Sequence, residues 1–299
     1  MNIFSLTVFS NNKKWFLLVI LSIIWGSSFI LIKKGLMGLS PLQLGALRII
    51  ISAFFIFIFG FHTLKKIPRG TWKWLVISGF IGTFFPVFLF AFAETEIDSA
   101  TTSILNSLVP LNTMLLGFAI FKIASTKRQV LGVIIGFSGT AILIISGANL
   151  NPEQNYMYAS FVLLSGIFYG LNVNIIKRYL QDITSVSIVF GNFTAIIVPA
   201  CLVLIWTDFF ENSVFKNLII VKSIGYVVVL SLFGTVLAKI LFNKLVQMAT
   251  PVFASSVTYL MPIVAVGWGV LDGELFNAIQ GLAAFLILLG VYLSHKVKT

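Results

Sequence analysis

The sequence predicts an all-α integral membrane protein of ten transmembrane helices, arranged as two inverted five-helix repeats with both termini in the cytoplasm. Of the 299 residues, 59% are hydrophobic and 10% are charged, whereas a soluble domain carries about 25% charged residues. Long apolar runs follow one another with short loops between them, and the loops alternate between basic and acidic. These observations indicate that lipid surrounds most of the chain.

Ten apolar runs have the length of roughly 17–25 residues that crosses a bilayer as a helix. They are Trp15–Ile32, Leu42–Phe61, Trp72–Phe92, Thr101–Phe121, Val130–Ala148, Tyr156–Ile176, Val186–Trp206, Ser223–Phe242, Val252–Leu271 and Ala278–Ser294. Only helices and closed barrels satisfy the backbone in lipid, and these runs lack the alternation of barrel strands. No cleavage site of small residues follows the first run, so it is predicted to be a retained helix rather than a signal peptide.

The charges of the loops predict the orientation, because lysine and arginine accumulate on the cytoplasmic side of membrane proteins. With the N-terminus inside, the cytoplasmic side receives Lys13, Lys14, Lys65, Lys66, Arg69, Lys73, Lys122, Lys127, Arg128, Lys177, Arg178, Lys296 and Lys298. The outer side receives Lys33, Lys34, Lys216 and Lys222, together with all acidic residues except Asp182. An odd number of spans would remove this bias, so ten spans are expected.

Three short motifs recur at offsets of 151 to 152 residues, which predicts an internal duplication. The pairs are Ile81-Gly82-Thr83 with Phe233-Gly234-Thr235, Leu108-Val109-Pro110 with Leu260-Met261-Pro262, and Gly139 to Leu143 with Gly290 to Leu293. The predicted repeats are residues 1–150 and 151–299, with five helices each. Since five is odd, the second repeat enters the membrane from the opposite face, and transporters of this design bind their solute between the repeats.

An ordered set of features resembles the EamA-type permeases of the drug/metabolite transporter superfamily. The set comprises Trp25-Gly26-Ser27-Ser28-Phe29, Lys33 and Lys34, Pro41, Arg48, the two Gly-Thr pairs, the mid-helix prolines and Gly273-Glu274. The likeness runs from about Trp15 to Leu293. It implies a multi-pass cell-membrane protein, in the inner membrane if the source is bacterial. It also implies a central cavity opened alternately to each side, for export of metabolites, amino acids or related small solutes.

One position departs from the family pattern. The first repeat usually has an acidic residue after its fourth helix, and this chain reads Lys122-Ile123-Ala124 there. The second repeat keeps the acidic residue as Glu274. With one of the two carboxylates missing, we do not expect Glu274 to couple transport to an ion.

Polar and aromatic residues within the spans are the candidates for solute contact, because polar groups in a membrane usually face a cavity or a partner. The candidates are Trp25, Arg48, Asn106, Asn112, Asn172, Asn174, Asn192, Lys239, Tyr259 and Trp268. Arg48 fits attraction of an anionic solute, but also anchoring to lipid headgroups or pairing with an outer carboxylate. Lys239 fits a cavity role, but also a long side chain that reaches the cytoplasmic interface. For the others, packing or hydrogen bonding between helices is the alternative.

The sequence contains no signature of an enzyme, a metal site or a cofactor site. His62 and His295 belong to no cluster with metal-ligand spacing, and no nucleotide-binding loop is present. The basic residues form no stripe that would suit a nucleic acid. The predicted partners are a small-molecule solute and the lipid bilayer. The glycine spacings 132/136 and 166/170 fit either helix packing within the chain or a homodimer.

A secondary transporter, by this prediction an exporter, is the leading hypothesis. No carboxylate lies inside a predicted span, so proton coupling would have to use Lys239, and a uniporter or exchanger is the alternative. An exchanger of organic anions such as phosphorylated sugars is a second hypothesis. A membrane-embedded lipid enzyme and a receptor are two further alternatives, which short loops and the absence of paired histidines disfavour.

Overall fold

The computed structural model describes residues 3–122, 127–150, 153–210 and 217–295, and within these ranges it is helical with no strand. The described residues form ten consecutive helical units, which we label α1 to α10. Their bounds are α1 Ile3–Leu36, α2 Pro41–Gly60, α3 72–93, α4 99–121, α5 Lys127–Leu150, α6 Ala159–Tyr179, α7 Ser185–Trp206, α8 218–248, α9 251–271 and α10 Ala278–His295.

Eight of these units contain helices that are long and apolar enough to cross a membrane. The spans are Lys13–Leu36, Pro41–Lys66, Arg69–Ala93, Ser99–Ile120, Tyr156–Tyr179, Ser185–Trp206, Leu218–Met248 and Pro251–Leu271. The apolar stretches of α5 and α10 are shorter, at Val130–Ser146 and Ala278–Gly290. The prediction of an all-helical membrane protein is confirmed for the described residues, while ten spans with cytoplasmic termini stays a prediction.

Local sequence signals set the starts of three helices. Ser40 and Gln43 form a capping box ahead of Pro41 at the start of α2. The Thr184 hydroxyl accepts a hydrogen bond from the Ser187 backbone N–H at α7, and Thr250 caps α9 in the same way. Such side chains satisfy backbone donors that a helix leaves free in its first turn.

Two long units contain π-helical segments, and two others are broken. The π segments are Phe80–Phe84 in α3 and Leu230–Leu237 in α8, and each contains one of the repeated Gly-Thr pairs. Unit α4 consists of Ser99–Asn106 and Val109–Phe121, with a turn between them. Unit α9 consists of Pro251–Ser255, a 3₁₀ segment Ser256–Tyr259 and Met261–Leu271. The four irregular segments therefore coincide with the repeated motifs.

The helices of the first five units pack mainly against those of the last five. Units α1 and α9, α2 and α7, α3 and α6, α4 and α6, and α5 and α10 are in direct contact. Close approach is possible where glycine lies between helices. A β-carbon on Gly290 of α10 would come within 2.5 Å of the Gly132 carbonyl oxygen and the Gly136 backbone nitrogen of α5. This glycine spacing thus serves packing within the chain.

Candidate functional site

A cavity of about 90 Å³ lies between the two groups of helices. That volume accommodates several water molecules or a small solute. Its lining comes from α1, α2, α3, α4, α6, α8 and α9. Among the described residues, none from α5, α7 or α10 lines it. All four irregular segments reach the wall, through Gly82 and Thr83, Gly234 and Thr235, Asn106, and Thr258. Helix irregularities of this kind often mark functional sites because they release backbone groups from helical hydrogen bonds.

Arg48 of α2 enters the cavity and is only 9% exposed. Its Nε donates a hydrogen bond of 2.8 Å to Thr235 Oγ1 on α8. The Thr235 hydroxyl in turn donates to the Leu230 carbonyl at 3.1 Å. The alternatives of a lipid-headgroup anchor and of a direct ion pair with an outer carboxylate are therefore wrong for this conformation. Arg48 faces the interior and is held by a neutral hydroxyl.

Lys239 of α8 lies on the same cavity wall, one helical turn beyond Thr235. Its Nζ donates a hydrogen bond of 2.6 Å to the Gly82 carbonyl on α3. The side chain thus bridges two helices across the cavity instead of reaching a membrane interface. The interpretation that Lys239 extends to the cytoplasmic surface is not what the structure shows.

The two π segments offer matched carbonyl groups to the cavity. Gly82 accepts the bond from Lys239, and Gly234 accepts a bond of 2.9 Å from Trp25 Nε1. The indole of Trp25 also packs on Phe242, with ring centroids 4.9 Å apart. The Gly-Thr pairs therefore supply both a carbonyl and a hydroxyl to the wall in each half.

Two candidate asparagines also line the cavity. Asn172 Oδ1 accepts a hydrogen bond of 2.7 Å from Ser78 Oγ, which fixes the amide against α3. Asn106 is buried, and its Nδ2 approaches Met261 Sδ at 3.9 Å. Within the described part of the chain, Asn106 Oδ1 and the hydroxyl of Thr83 have no hydrogen-bond partner. Both are free to bind water or solute.

The other five candidates do not line the cavity. Asn174 Nδ2 donates to the carbonyls of Thr113 and Gly170 at 2.9 Å, which joins α6 to α4. Asn192 lies 3.4 Å from Ser78 Oγ, between α7 and α3. Trp268 is 45% exposed, and its Nε1 donates to Ser27 Oγ at 3.0 Å.

The remaining two of these five, Asn112 and Tyr259, are packed between helices. A β-carbon on Gly166 would lie 2.9 Å from Asn112 Nδ2, so that amide packs against α6. The hydroxyl of Tyr259 is buried outside the cavity lining. The hydrogen bonds of Asn174, Asn192 and Trp268 favour the alternative interpretation for these three, in which polar side chains hold helices together. The Tyr259 hydroxyl has no hydrogen-bond partner among the described residues.

A charged cluster, which we call the latch, connects α1, α4 and the loop between α9 and α10. Glu274 Oε1 accepts hydrogen bonds from Lys33 Nζ at 2.8 Å and from the Ser99 backbone N–H at 3.1 Å. Its Oε2 accepts from the Ala100 backbone N–H at 3.1 Å. The Glu274 side chain is only 2% exposed. A carboxylate at the start of a helix is favoured by the unpaired N–H groups and by the helix dipole.

Asp272 and Glu94 extend the latch. Asp272 pairs with Lys34 and lies 3.4 Å from Lys33 Nζ. The hydrogen bond from Lys34 holds the pKa of Asp272 below its ordinary value, so this carboxylate stays charged at neutral pH. Glu94 Oε2 accepts a hydrogen bond from Ser99 Oγ at 3.1 Å, and burial raises the pKa of Glu94 well above its ordinary value. The latch therefore combines a charged part with a buried carboxyl of reduced acidity.

The geometry is that of a cavity between the helices of a membrane protein, and the sequence carries a family signature over the same range. The profile of the EamA-like transporter family matches residues 13–145 and again residues 157–295. The chain belongs to this family. It is therefore a multi-pass membrane transporter of the EamA type, not an enzyme.

Relatives of this EamA protein are described as transporters. The "Probable amino-acid metabolite efflux pump" of Salmonella typhimurium is 24% identical over 291 residues, which is 95% of each chain. The "Uncharacterized inner membrane transporter YedA" of Escherichia coli K12 is 26% identical over 278 residues, covering 91% of this chain and 87% of YedA. A crystal structure of a protein that is 17% identical to this chain superposes on it with a TM-score of 0.66. The match covers 95% of this chain and 96% of that protein's chain. That structure shows the fold.

Sequence reasoning missed several residues that line the cavity of this EamA transporter. They include Ser28, Thr83, Tyr169, Thr235, Asn243 and Ser255. The Gly-Thr repeat singled out Thr83 and Thr235 as matched positions, and that signal could have found them. Tyr169 and Asn243 carry no such signal, because their position depends on how each helix is rotated in the bundle.

The indole of Trp25 gives a first prediction for this EamA transporter. We expect Trp25→Phe to lower the unfolding free energy by about 1 kcal/mol, because the Gly234 carbonyl loses its partner at the π segment. Thermal unfolding in detergent would measure the change. Trp206→Phe is the control, since Trp206 is 79% exposed and its loss should leave the melting temperature unchanged. Equal melting temperatures for Trp25→Phe and the unchanged protein would contradict the assigned hydrogen bond.

Proposed function

We propose that this transporter is a secondary exporter of small metabolites or amino-acid-like solutes that works by alternating access. In this proposal ten helices span the bilayer as two inverted repeats, residues 1–150 and 151–299, with both termini in the cytoplasm. The solute occupies the cavity between the repeats, and the two repeats rock around it. The latch then lies on the outer side and closes that side in the conformation described here.

The observation that carries this proposal is the matched irregularity of four helices around one cavity. The π segments Phe80–Phe84 and Leu230–Leu237 and the breaks in α4 and α9 all supply wall residues. Matched distortions in two halves of a chain are what inverted-repeat carriers use to expose backbone groups to a solute. The double match to the family profile supports the same division of the chain.

Contacts made by Gly26 and Gly170 support the inverted arrangement further. A β-carbon on Gly26 of α1 would come within 2.9 Å of the Met261 carbonyl oxygen, at the break in α9. A β-carbon on Gly170 of α6 would come within 2.8 Å of the Thr113 backbone nitrogen, after the break in α4. In each case the first helix of one half contacts the broken helix of the other half. The glycine spacing 166/170 is thus used within the chain and gives no support to a homodimer.

We propose amino-acid-like solutes because the Salmonella relative is named as a probable amino-acid metabolite efflux pump and because the cavity has room for a small solute. No nucleotide-binding motif occurs in the sequence, so the proposed transporter uses a solute or ion gradient or moves its solute downhill. An exchanger of organic anions is the second candidate. The presence of Arg48 and Lys239 in one cavity favours it.

Efflux from proteoliposomes tests the proposal. Vesicles containing the purified chain and preloaded with a labelled mixture of amino acids and related metabolites should lose at least one component faster than protein-free vesicles. Release at the protein-free rate for every component would contradict the proposed function. The same vesicles with an imposed pH gradient test coupling, because efflux that is indifferent to the gradient excludes a proton-coupled mechanism.

A further inference from the structure

Among the described residues, two cationic side chains and no carboxylate line the cavity. Among the 22 residues that line it, Arg48 and Lys239 are the charged ones. Within the described part of the chain, no carboxylate oxygen lies within 4.0 Å of either nitrogen group, since the recorded ion pairs all belong to the latch. Glu94 affects Arg48 only at longer range. Buried charges are normally paired, because removing a charge from water without a partner is costly.

Neighbouring groups hold both cations without neutralising them. Arg48 Nε donates a hydrogen bond to Thr235 Oγ1, and the two terminal guanidinium nitrogens have no hydrogen bond among the described residues. Lys239 Nζ donates one hydrogen bond to the Gly82 carbonyl. An ammonium group has three N–H donors, so two remain available for a ligand. Because Thr235 and Lys239 lie four residues apart on α8, they face the same side of the helix. Arg48, which is bonded to Thr235, and Lys239 therefore lie along the same part of the cavity wall.

The remaining walls define the rest of the solute. Aromatic rings line the same cavity as the two cations, namely those of Trp25, Phe29, Phe90, Tyr169 and Phe242. The wall also carries hydroxyl and amide groups, among them those of Thr83 and Asn106, so phosphate esters are the competing class that the experiment below tests. A carboxylate matches the paired terminal nitrogens of a guanidinium, and an apolar body matches the rings.

We propose that the solute is a small organic acid with net negative charge, whose carboxylate binds between Arg48 and Lys239 while its apolar body packs on the aromatic wall. This inference rests on the proposed function and makes it more specific. The carboxylate of the solute compensates one of the two positive charges of the cavity. A zwitterionic amino acid has no net charge and leaves the net charge of both cations uncompensated, so it binds more weakly.

Matched pairs of acids and amides test this assignment. The full chain is purified in detergent, and its melting temperature and tryptophan fluorescence are titrated with phenylacetate, phenylacetamide and phenylalanine, and with 4-methylpentanoate and its amide. We expect the two acids to bind at least about tenfold more tightly than their amides, which have the same shape without the charge. Phenylalanine should be weaker than phenylacetate.

Charge removal in the cavity should abolish this preference. Arg48→Gln and Lys239→Gln should each weaken acid binding at least about tenfold. Lys239→Arg keeps the positive charge and should bind the acids almost as tightly as the unchanged protein. Lys244→Gln is the matched control, since Lys244 lies on the same helix but is exposed outside the cavity. Size-exclusion elution and the helical signal of each variant show whether it is folded. If Arg48→Gln does not fold, Lys239→Gln and Lys239→Arg carry the test.

The possible outcomes separate this inference from the proposed function. Acids that bind no better than amides, or that bind Lys239→Gln as well as the unchanged protein, would overturn the inference. Tighter binding of inorganic phosphate or glycerol phosphate than of the acids would also overturn it. If proteoliposomes release phenylalanine or other amino acids but neither acid, the inference fails and the transporter function stands. If no solute in the panels is released, the proposed function itself fails.

Discussion

Glu274→Gln should increase the access of external reagents to the cavity at least about tenfold. The substitution keeps the size of the side chain but removes the charge that pairs with Lys33 and with two backbone N–H groups of α4. Hydrogen bonds to a charged group contribute about 1.5–3 kcal/mol, and about 1.4 kcal/mol changes a conformational equilibrium tenfold. In the proposed orientation, the state that is open to the outside should become more populated at the expense of the latched state.

Cysteine labelling measures this change. Thr83→Cys places a thiol in the cavity wall, and Cys201→Ser removes the native thiol. A membrane-impermeant maleimide added outside should label position 83 at least about tenfold faster when Glu274→Gln is also present. Glu153→Gln is the matched control, because it makes the same charge change at an exposed position. Identical labelling with and without Glu274→Gln would show that the latch does not close the cavity.

Gly26→Val and Gly170→Val should each abolish most transport and destabilise the fold. The new β-carbon would lie 2.7 Å from Val264 Cβ in the first case and 2.8 Å from the Thr113 backbone nitrogen in the second. Since these neighbours include backbone atoms that cannot rotate away, the paired helices must separate. Overpacking of this kind costs about 1–3 kcal/mol, and it moves α1 from α9 or α6 from α4 at the breaks that line the cavity.

Gly225→Val provides the control for both variants. Gly225 is an exposed helical glycine with no atom within 4 Å of its added β-carbon. Its melting temperature and efflux rate in proteoliposomes should match those of the unchanged protein. Unaltered efflux by Gly26→Val and Gly170→Val would exclude the idea that close packing at the two breaks is required for transport.

The sequence predicted the features that depend on composition and periodicity. Apolar length and the placement of lysine and arginine indicated a helical membrane protein, and the repeated Gly-Thr and proline motifs marked the segments that become irregular. The structure breaks α4 and α9 just before Pro110 and Pro262, because a proline within a helix removes a backbone donor and crowds the preceding turn. That the Gly-Thr pairs form π segments was not predicted, because propensity does not distinguish a π segment from an α-helix.

Five of the ten candidates for solute contact line the cavity, and their role in binding stays a prediction. Trp25, Arg48, Asn106, Asn172 and Lys239 line the cavity, whereas the other five satisfy partners between helices or lie buried away from it. A polar residue in an apolar helix signals that it needs a partner, but the sequence does not say whether that partner is a solute or a neighbouring helix. The latch was missed for a similar reason, because the contacts of Asp272 and Glu274 with Lys33, Lys34, Ser99 and Ala100 join residues 174 to 241 positions apart, which come together only in the folded structure.

The latch also gives the two faces of the carrier unequal chemistry. The corresponding stretch of the first half, from Lys122 to Arg128, contains no carboxylate. That stretch therefore cannot form a second latch through a residue equivalent to Glu274. In the proposed alternating-access mechanism, a latch on one side only favours the state that is open to the opposite side. Such asymmetry cannot by itself move solute uphill, because net flow still follows the gradient. The asymmetry makes the solute concentration that gives half-maximal transport differ between the two sides. The maximal rates of inward and outward transport must then differ by the same factor.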